Sequence, residues 1–214
     1  MGEDMISQII TGILLAIPAI TLLIPSFGYW SKFKKSKKSA KKTKYKKLFY
    51  YLLATGSLSI WVFWFGGTIL LLFGKFYCIF GFLTFSSPHE TLIQIVGLPI
   101  FYVGAIGYNW VIFSGGKYIL PSTSGLLKNH KLVQKGPYGI IRHPLYVSYI
   151  FILAGLSLIL LIHWLLIPTL CIIIGIYPTA KAEEEGLTEQ FGEEYIKYKG
   201  KIGMFFPSFR KSRS

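Results

Sequence analysis

Residues 146–177 read YVSYIFILAGLSLILLIHWLLIPTLCIIIGIY, 32 positions interrupted only by His163. One unbroken helix of that length would extend ~48 Å at ~1.5 Å per residue, well beyond the ~30 Å hydrocarbon core of a bilayer. A tight hairpin turning near His163 and Trp164 instead gives two short arms of about 15 residues each. Charge separates the two readings. Of 23 Lys and Arg, ten lie in residues 32–47, five in 117–142 and seven in 181–213, with Lys75 apart. The hairpin puts all three clusters on one side of a membrane, as the positive-inside rule favours, whereas a single span strands the last seven.

Worked outward, the same reading gives an all-α polytopic membrane protein. It is a single domain over residues 1–214, with about five transmembrane helices at 5–30, 48–73, 91–113, 146–162 and 164–178. The last two form the hairpin, the N-terminus lies outside or in a lumen, and the C-terminus is cytosolic. Glu3 and Asp4 replace a basic leader, so the first run reads as a retained span, kinked by Pro18 and Pro25. Gly97, Gly104, Ala105 and Gly107 offer small surfaces for close helix packing in the third. His163 beside Trp164, and His89 in the other outward connection, read as interfacial anchors.

Composition agrees. The chain is 52% hydrophobic and 15% charged, against ~25% charged in soluble domains, which excludes an ordinary water-soluble globule and a disordered chain. The net charge of +14 raises nucleic acid as a partner. However, the basic loop at 31–47, ten lysines and no acid, sits between two apolar runs. There it acts as a topology signal and attracts anionic lipid headgroups, and no nucleic-acid partner is expected. Cys78 and Cys171 are too few and too scattered for a disulfide framework or a zinc site, and no metal is expected.

The reactive side chains concentrate on the cytosolic side. Residues 129–149 read NHKLVQKGPYGIIRHPLYVSY, with Pro144 suited to the first turn of the following helix. Arg142 and His143 then stand at a helix N-terminus, where free N–H groups and the dipole favour an anion. Residues 181–199 read as an amphipathic helix with Leu187, Phe191, Tyr195 and Tyr198 on one stripe and Glu185, Glu189 and Glu193 opposite. Glu184 projects within that stripe and Glu183 lies at its edge, and buried carboxylates are costly unless paired. A dinucleotide G-x-G-x-x-G loop, a Walker A sequence, an H-E-x-x-H helix and a G-x-S-x-G elbow are all missing from the sequence.

GPYGIIRHPLY, followed about forty residues later by EEEGLTEQFGEEYIKYKGKIGMFFP, resembles the isoprenylcysteine carboxyl methyltransferases, relatives of the phospholipid N-methyltransferases. The resemblance covers residues 130–207. It implies a cytosol-facing pocket for S-adenosylmethionine, roofed by the C-terminal helix, and a lipid or lipidated acceptor entering from the bilayer. Carried across, it implies that His130, Lys131, Leu132, Val133, Tyr138, His143, Pro144 and Tyr146 line the cofactor site, with Glu183 on the cofactor's amino group. Helical geometry favours Glu184 equally, so both stand. Arg142 and His143 are the catalytic candidates. The family often has an arginine for the substrate carboxylate four residues before the first Glu; this chain has Thr179 there.

The implied reaction is carboxyl O-methylation of a C-terminal isoprenylcysteine, whose carboxylate is already ionised at neutral pH and needs no general base. A phospholipid amine or a small thiol is the alternative acceptor. Two further readings are a membrane NADPH-dependent reductase and a non-catalytic lipid-binding scaffold.

Overall fold

The computed structural model describes residues 5–21, 51, 55–56, 58–115 and 131–208. The lysine-rich loop at 31–47, Pro25 and His130 lie outside the described residues. The described elements are α1 (Met5–Thr21), α2 (Ile60–Leu72), α3 (Phe76–Phe80), α4 (Glu90–Gly115), α5 (Pro144–Ile159), α6 (Leu166–Phe191) and α7 (Glu193–Lys201). Among the described residues the fold is all-α, without a β-sheet; one isolated parallel bridge joins Ile141 to Gly203.

The expectation of five transmembrane helices is not met. Among the described residues only two helices are long and apolar enough to cross a membrane, Glu90–Gly115 and His163–Phe191. The other apolar helices, Met5–Thr21, Ile60–Leu72 and Pro144–Ile159, fall short. At ~1.5 Å per residue they reach only about 20–26 Å, against ~30 Å of hydrocarbon. The two long helices turn apolar side chains outward, Leu92, Ile95, Val103 and Ile106 on α4 and Leu170, Ile173 and Ile174 on α6. Outward apolar faces on long helices support membrane association.

The tail is also built differently from the expected separate helix over 181–199. α6 runs without a break from its apolar part through Lys181 and the glutamates to Phe191. Gly192, at φ +52°, ends it, and α7 is a separate nine-residue helix.

The core forms where α4 packs along α5. A Cβ on Gly155 would lie 2.5 Å from the Phe101 Cα, and one on Gly104 would lie 2.6 Å from the Ile152 nitrogen. Only glycine permits backbones that close, and Phe101, Ala105, Ile152 and Leu156 are wholly buried around the seam. α1 joins through its proline. Pro18 has no N–H to offer the Leu14 carbonyl, and the Tyr102 hydroxyl donates to that oxygen at 2.7 Å. One residue on, Trp64 Nε1 donates to the Leu15 carbonyl at 3.0 Å, and its ring meets Phe101 edge-on at 5.2 Å.

The connection that places the site is the turn at 160–165. Ile162 N donates to the Ser157 carbonyl at 2.9 Å, and Ser157 Oγ donates back to the Ile162 carbonyl at 2.9 Å. Phe85 N adds a bond to Leu161 O at 2.9 Å. α6 therefore runs back beside α5, and its far end returns to the start of α5.

The glycine seam makes a testable demand. Gly155→Ala, which drives a methyl into the Phe101 backbone, is expected to cost about 2 kcal/mol. Gly66→Ala, at a helical glycine with nothing within 4 Å, is expected to be neutral or slightly stabilising, as alanine is the better helix former. Thermal unfolding of the two variants in detergent checks the contrast.

Candidate functional site

Pro144 opens α5 and restricts the residue before it, so His143 takes φ −124° and ψ 59° outside the helix. That geometry turns Arg142 and His143 toward two other segments at once. Their backbone nitrogens donate to the carbonyls of Gly203 at 2.9 Å and Met204 at 3.1 Å. Residues 202–206 thus lie as a strap along residues 141–143, with the Phe205 ring 5.8 Å from the His143 ring. The strap turns so tightly that a Cβ on Gly203 would lie under 2 Å from the Phe206 carbonyl oxygen.

Across from them stand the two glutamates of α6, and they differ. Glu184 is 1% exposed. Its Oε1 accepts from Arg142 Nε at 2.6 Å and lies 3.3 Å from His143 Nε2. Its Oε2 is 2.8 Å from Lys199 Nζ. Glu183 keeps 21% of its side-chain surface exposed, with Oε2 3.4 Å from His143 Nδ1. The Tyr146 hydroxyl donates to its Oε1 at 2.7 Å, and the Tyr146 ring stacks on His143 at 5.8 Å. The anion at the N-terminus of α5 is therefore supplied by the chain's own carboxylates.

Arg142 does more than pair with Glu184. Its NH1 donates to the Lys199 carbonyl at 3.1 Å and to that of Ile202. These carbonyls close the C-terminus of α7, where a cation is favoured. The buried Tyr198 also ties α7 down, its hydroxyl donating to the Tyr138 carbonyl at 2.7 Å. Burial pushes the phenols of Tyr195 and Tyr198 up, that of Tyr198 to about 12.

The charges set opposite shifts. Burial alone would raise the Glu184 carboxyl, but His143, Lys199 and Arg142 outweigh it and hold it down at about 2. Burial alone would lower His143, yet hydrogen bonds and charge from Glu183 and Glu184 raise it above the ordinary histidine value.

Of the residues singled out from sequence, the structure brings together Arg142, His143, Tyr146, Glu183 and Glu184. Pro144 is buried beneath them as the first residue of α5, and Tyr138 joins through its carbonyl. Lys131 is exposed, Leu132 and Val133 are half-buried, and His130 lies outside the described residues. Thr179 is 2% exposed, its hydroxyl donating to the Gly175 carbonyl at 2.7 Å, so no cation stands there. Sequence reasoning missed Lys199 and the strap.

Residues 92–194 match a family profile described as phospholipid methyltransferase. The match contains the whole cluster around His143 but stops short of Lys199. A methanethiol S-methyltransferase of Pseudomonas deceptionensis is 34% identical over 77 residues, 35% of this chain and 28% of that protein. A protein-S-isoprenylcysteine O-methyltransferase of Saccharomyces cerevisiae is 34% identical over 80 residues, 37% of this chain and 34% of that protein. The likeness is to methyltransferases. The chain spans about a third of the length of these curated relatives.

Two stability measurements test the cluster. Glu184→Gln leaves Arg142 and Lys199 without their charge partner and is expected to cost about 3 kcal/mol in thermal or denaturant unfolding. The pH dependence has a defined sign. Glu184 contributes stability above its ordinary value of 4.5, lost as pH falls toward about 2. His143 contributes stability fully present below 6.5, lost as pH rises through its higher folded value. His143→Gln is expected to flatten the alkaline limb of the unfolding-temperature profile and to move the acid limb to higher pH, because Glu184 loses one of the groups that hold its carboxyl down.

Proposed function

We propose that this chain is an S-adenosylmethionine-dependent methyltransferase of the membrane that acts on a lipophilic acceptor. Carboxyl O-methylation of a C-terminal isoprenylcysteine is the reaction we favour. The observation that carries this reading is Glu183, a carboxylate left one-fifth exposed between His143 and Tyr146, inside the segment similar to methyltransferases.

The residues fit such a cofactor. Each carboxylate oxygen accepts two hydrogen bonds, and among the described residues each oxygen of Glu183 faces one protein donor, which leaves capacity for an ammonium group. Glu184, buried among three cations, has no such opening, so we assign the cofactor's amino group to Glu183. Bound there, the cofactor supplies a methyl group already activated on a sulfonium. The chain's own work is positioning and exclusion of water. Tyr146 and His143 orient Glu183, the strap with Phe205 shields His143, and Arg142 holds the strap. We assign Lys131, Leu132, Val133, Tyr138 and Pro144 to the walls of the same site, and His130 with them.

Thr179 does not supply a grip for an acceptor carboxylate. We assign that grip to Lys181, exposed on α6 half a turn before Glu183. In sequence, the basic segments 117–142 and 181–213 contain Arg142 and the two glutamates, and the positive-inside rule supports a cytosolic location for the site. Residues 1–214 act as one membrane domain in this reading, with anionic headgroups at the 31–47 loop.

A second reading has a small thiol as acceptor, favoured by the similarity to the methanethiol enzyme, which is as strong as that to the isoprenylcysteine enzyme.

The test is binding of labelled S-adenosylmethionine to the full chain in detergent. Saturable binding is expected, weakened at least about tenfold in Glu183→Gln, as for loss of a charged hydrogen-bond partner. No binding by folded protein overturns the proposal. With binding in hand, a panel of a prenylcysteine, an ethanolamine phospholipid and methanethiol separates the acceptors, because methyl esters alone are base-labile.

A further inference from the structure

Each ring nitrogen of His143 faces a carboxylate oxygen, Glu183 Oε2 at 3.4 Å from Nδ1 and Glu184 Oε1 at 3.3 Å from Nε2. A neutral imidazole has one N–H and one lone pair, so on one side or the other it would aim a lone pair at an oxyanion. Only the imidazolium donates to both. Glu184 is in turn shared. Arg142 Nε sits on the oxygen that His143 faces, at 2.6 Å, and Lys199 Nζ sits on the other at 2.8 Å.

These cations are not equivalent. The Arg142 side chain is 9% exposed and a guanidinium does not lose its proton. Lys199 is 48% exposed, reaches in from α7, and lies beyond residues 92–194, which match the phospholipid methyltransferase profile. The other groups facing the cluster are Tyr146 on α5, whose hydroxyl is spent on Glu183, the Phe205 ring of the strap, and the buried phenols of Tyr195 and Tyr198 on α7. None of these supplies a charge of its own at neutral pH.

We infer that Glu183 and Glu184 hold His143 as an imidazolium at neutral pH, and that Lys199 is a positioning residue which, by sharing Glu184 with it, lowers the pH at which His143 gives up its proton. Cations on one carboxylate compete. Lys199 draws on the Glu184 charge that would otherwise hold the His143 proton, and it repels the imidazolium across the same carboxylate. Removing Lys199 therefore tightens the proton on His143, and neutralising Glu184 loosens it. One consequence rests on the methyltransferase reading: a histidine that already carries its proton takes none from the acceptor, which suits an acceptor that arrives already deprotonated, such as a carboxylate.

The charge state is measured without any cofactor. The chain has four histidines, so 15N-histidine NMR of the full chain in detergent, with the other three substituted in turn, isolates His143. Two N–H signals of imidazolium type are expected at pH 7. The titration midpoint is expected to move up by about half a unit in Lys199→Met, since Lys199 is half exposed and screened. In Glu184→Gln it is expected to move down by about one unit or more.

A neutral ring at pH 7 overturns the inference, as does a Lys199→Met midpoint that stays put or falls. Should Glu184→Gln fail to fold, the Lys199→Met comparison decides alone. A kinetic arm applies if methyl transfer is found. The rate on a carboxylate acceptor is expected to be flat from about pH 6 to 8, and a rise with a midpoint near 6.5, the ordinary histidine value, overturns the consequence. Loss of methyl transfer on every acceptor would count against the methyltransferase reading and leave the NMR result standing.

Discussion

A carboxylate that is 1% exposed cannot remain ionised unless cations are brought to it, and the cations that Glu184 needs come from two stretches of chain far apart in sequence. Arg142 precedes α5, His143 sits at its entry, and Lys199 lies in the last turn of α7. Meeting that one requirement fixes several larger features. α6 must return beside α5 after the turn at 160–165, α7 must fold back across the end of α6, and the strap must follow. The paired cluster adds little net stability over a well-packed apolar one, but removing one member leaves a buried charge uncompensated. Registration of three elements is the gain.

The neighbouring acids show how one residue of helical rotation divides two tasks. A step of about 100° around α6 carries the carboxylate from the interior at Glu184 to the edge at Glu183. The wheel drawn from sequence had Glu184 within the apolar stripe and Glu183 beside it, and the burial of the two follows that order. Arg142 and His143 were legible for a similar reason: Pro144 marks a helix start, and residues around such a start point at a common spot; Tyr146 was legible only through the family resemblance. Lys199 was not legible. Its partner is 15 residues away across a helix break at Gly192, and exposed lysines in a basic tail give no sign of which one turns inward. The strap contacts, about 60 residues apart in sequence, have no periodicity at all.

The span count went astray because hydropathy counts apolar residues, whereas a membrane crossing needs helix length. Residues 48–73 are apolar almost throughout, yet the apolar helix described there, Ile60–Leu72, is too short, and its first half is wound as a π-helix. The 146–177 run is divided by its turn into a helix that ends at Ile159 and one that begins at Leu166. The second gains its length from the charged residues beyond Tyr177, which composition had placed in a different element. Nothing between Pro178 and Gly192 stops a helix, since alanine and glutamate extend it readily.

That continuity matters for the chemistry. The stretch 163–180 carries no Lys, Arg, Asp or Glu, and at ~1.5 Å per residue it covers about 27 Å. Lys181, Glu183 and Glu184 follow within the next turn of the same helix, past its internal Pro178. A side chain on a loop would be free to move relative to the apolar boundary, but one on this helix is held at a constant height above it. In the methyltransferase reading, the reagent is polar and the acceptor is anchored in lipid by its apolar part, so the two meet only where the apolar surface gives way to charge. A carboxylate pair built onto the end of the apolar helix, with its cations drawn in from α5 and α7, fixes that meeting point by covalent geometry.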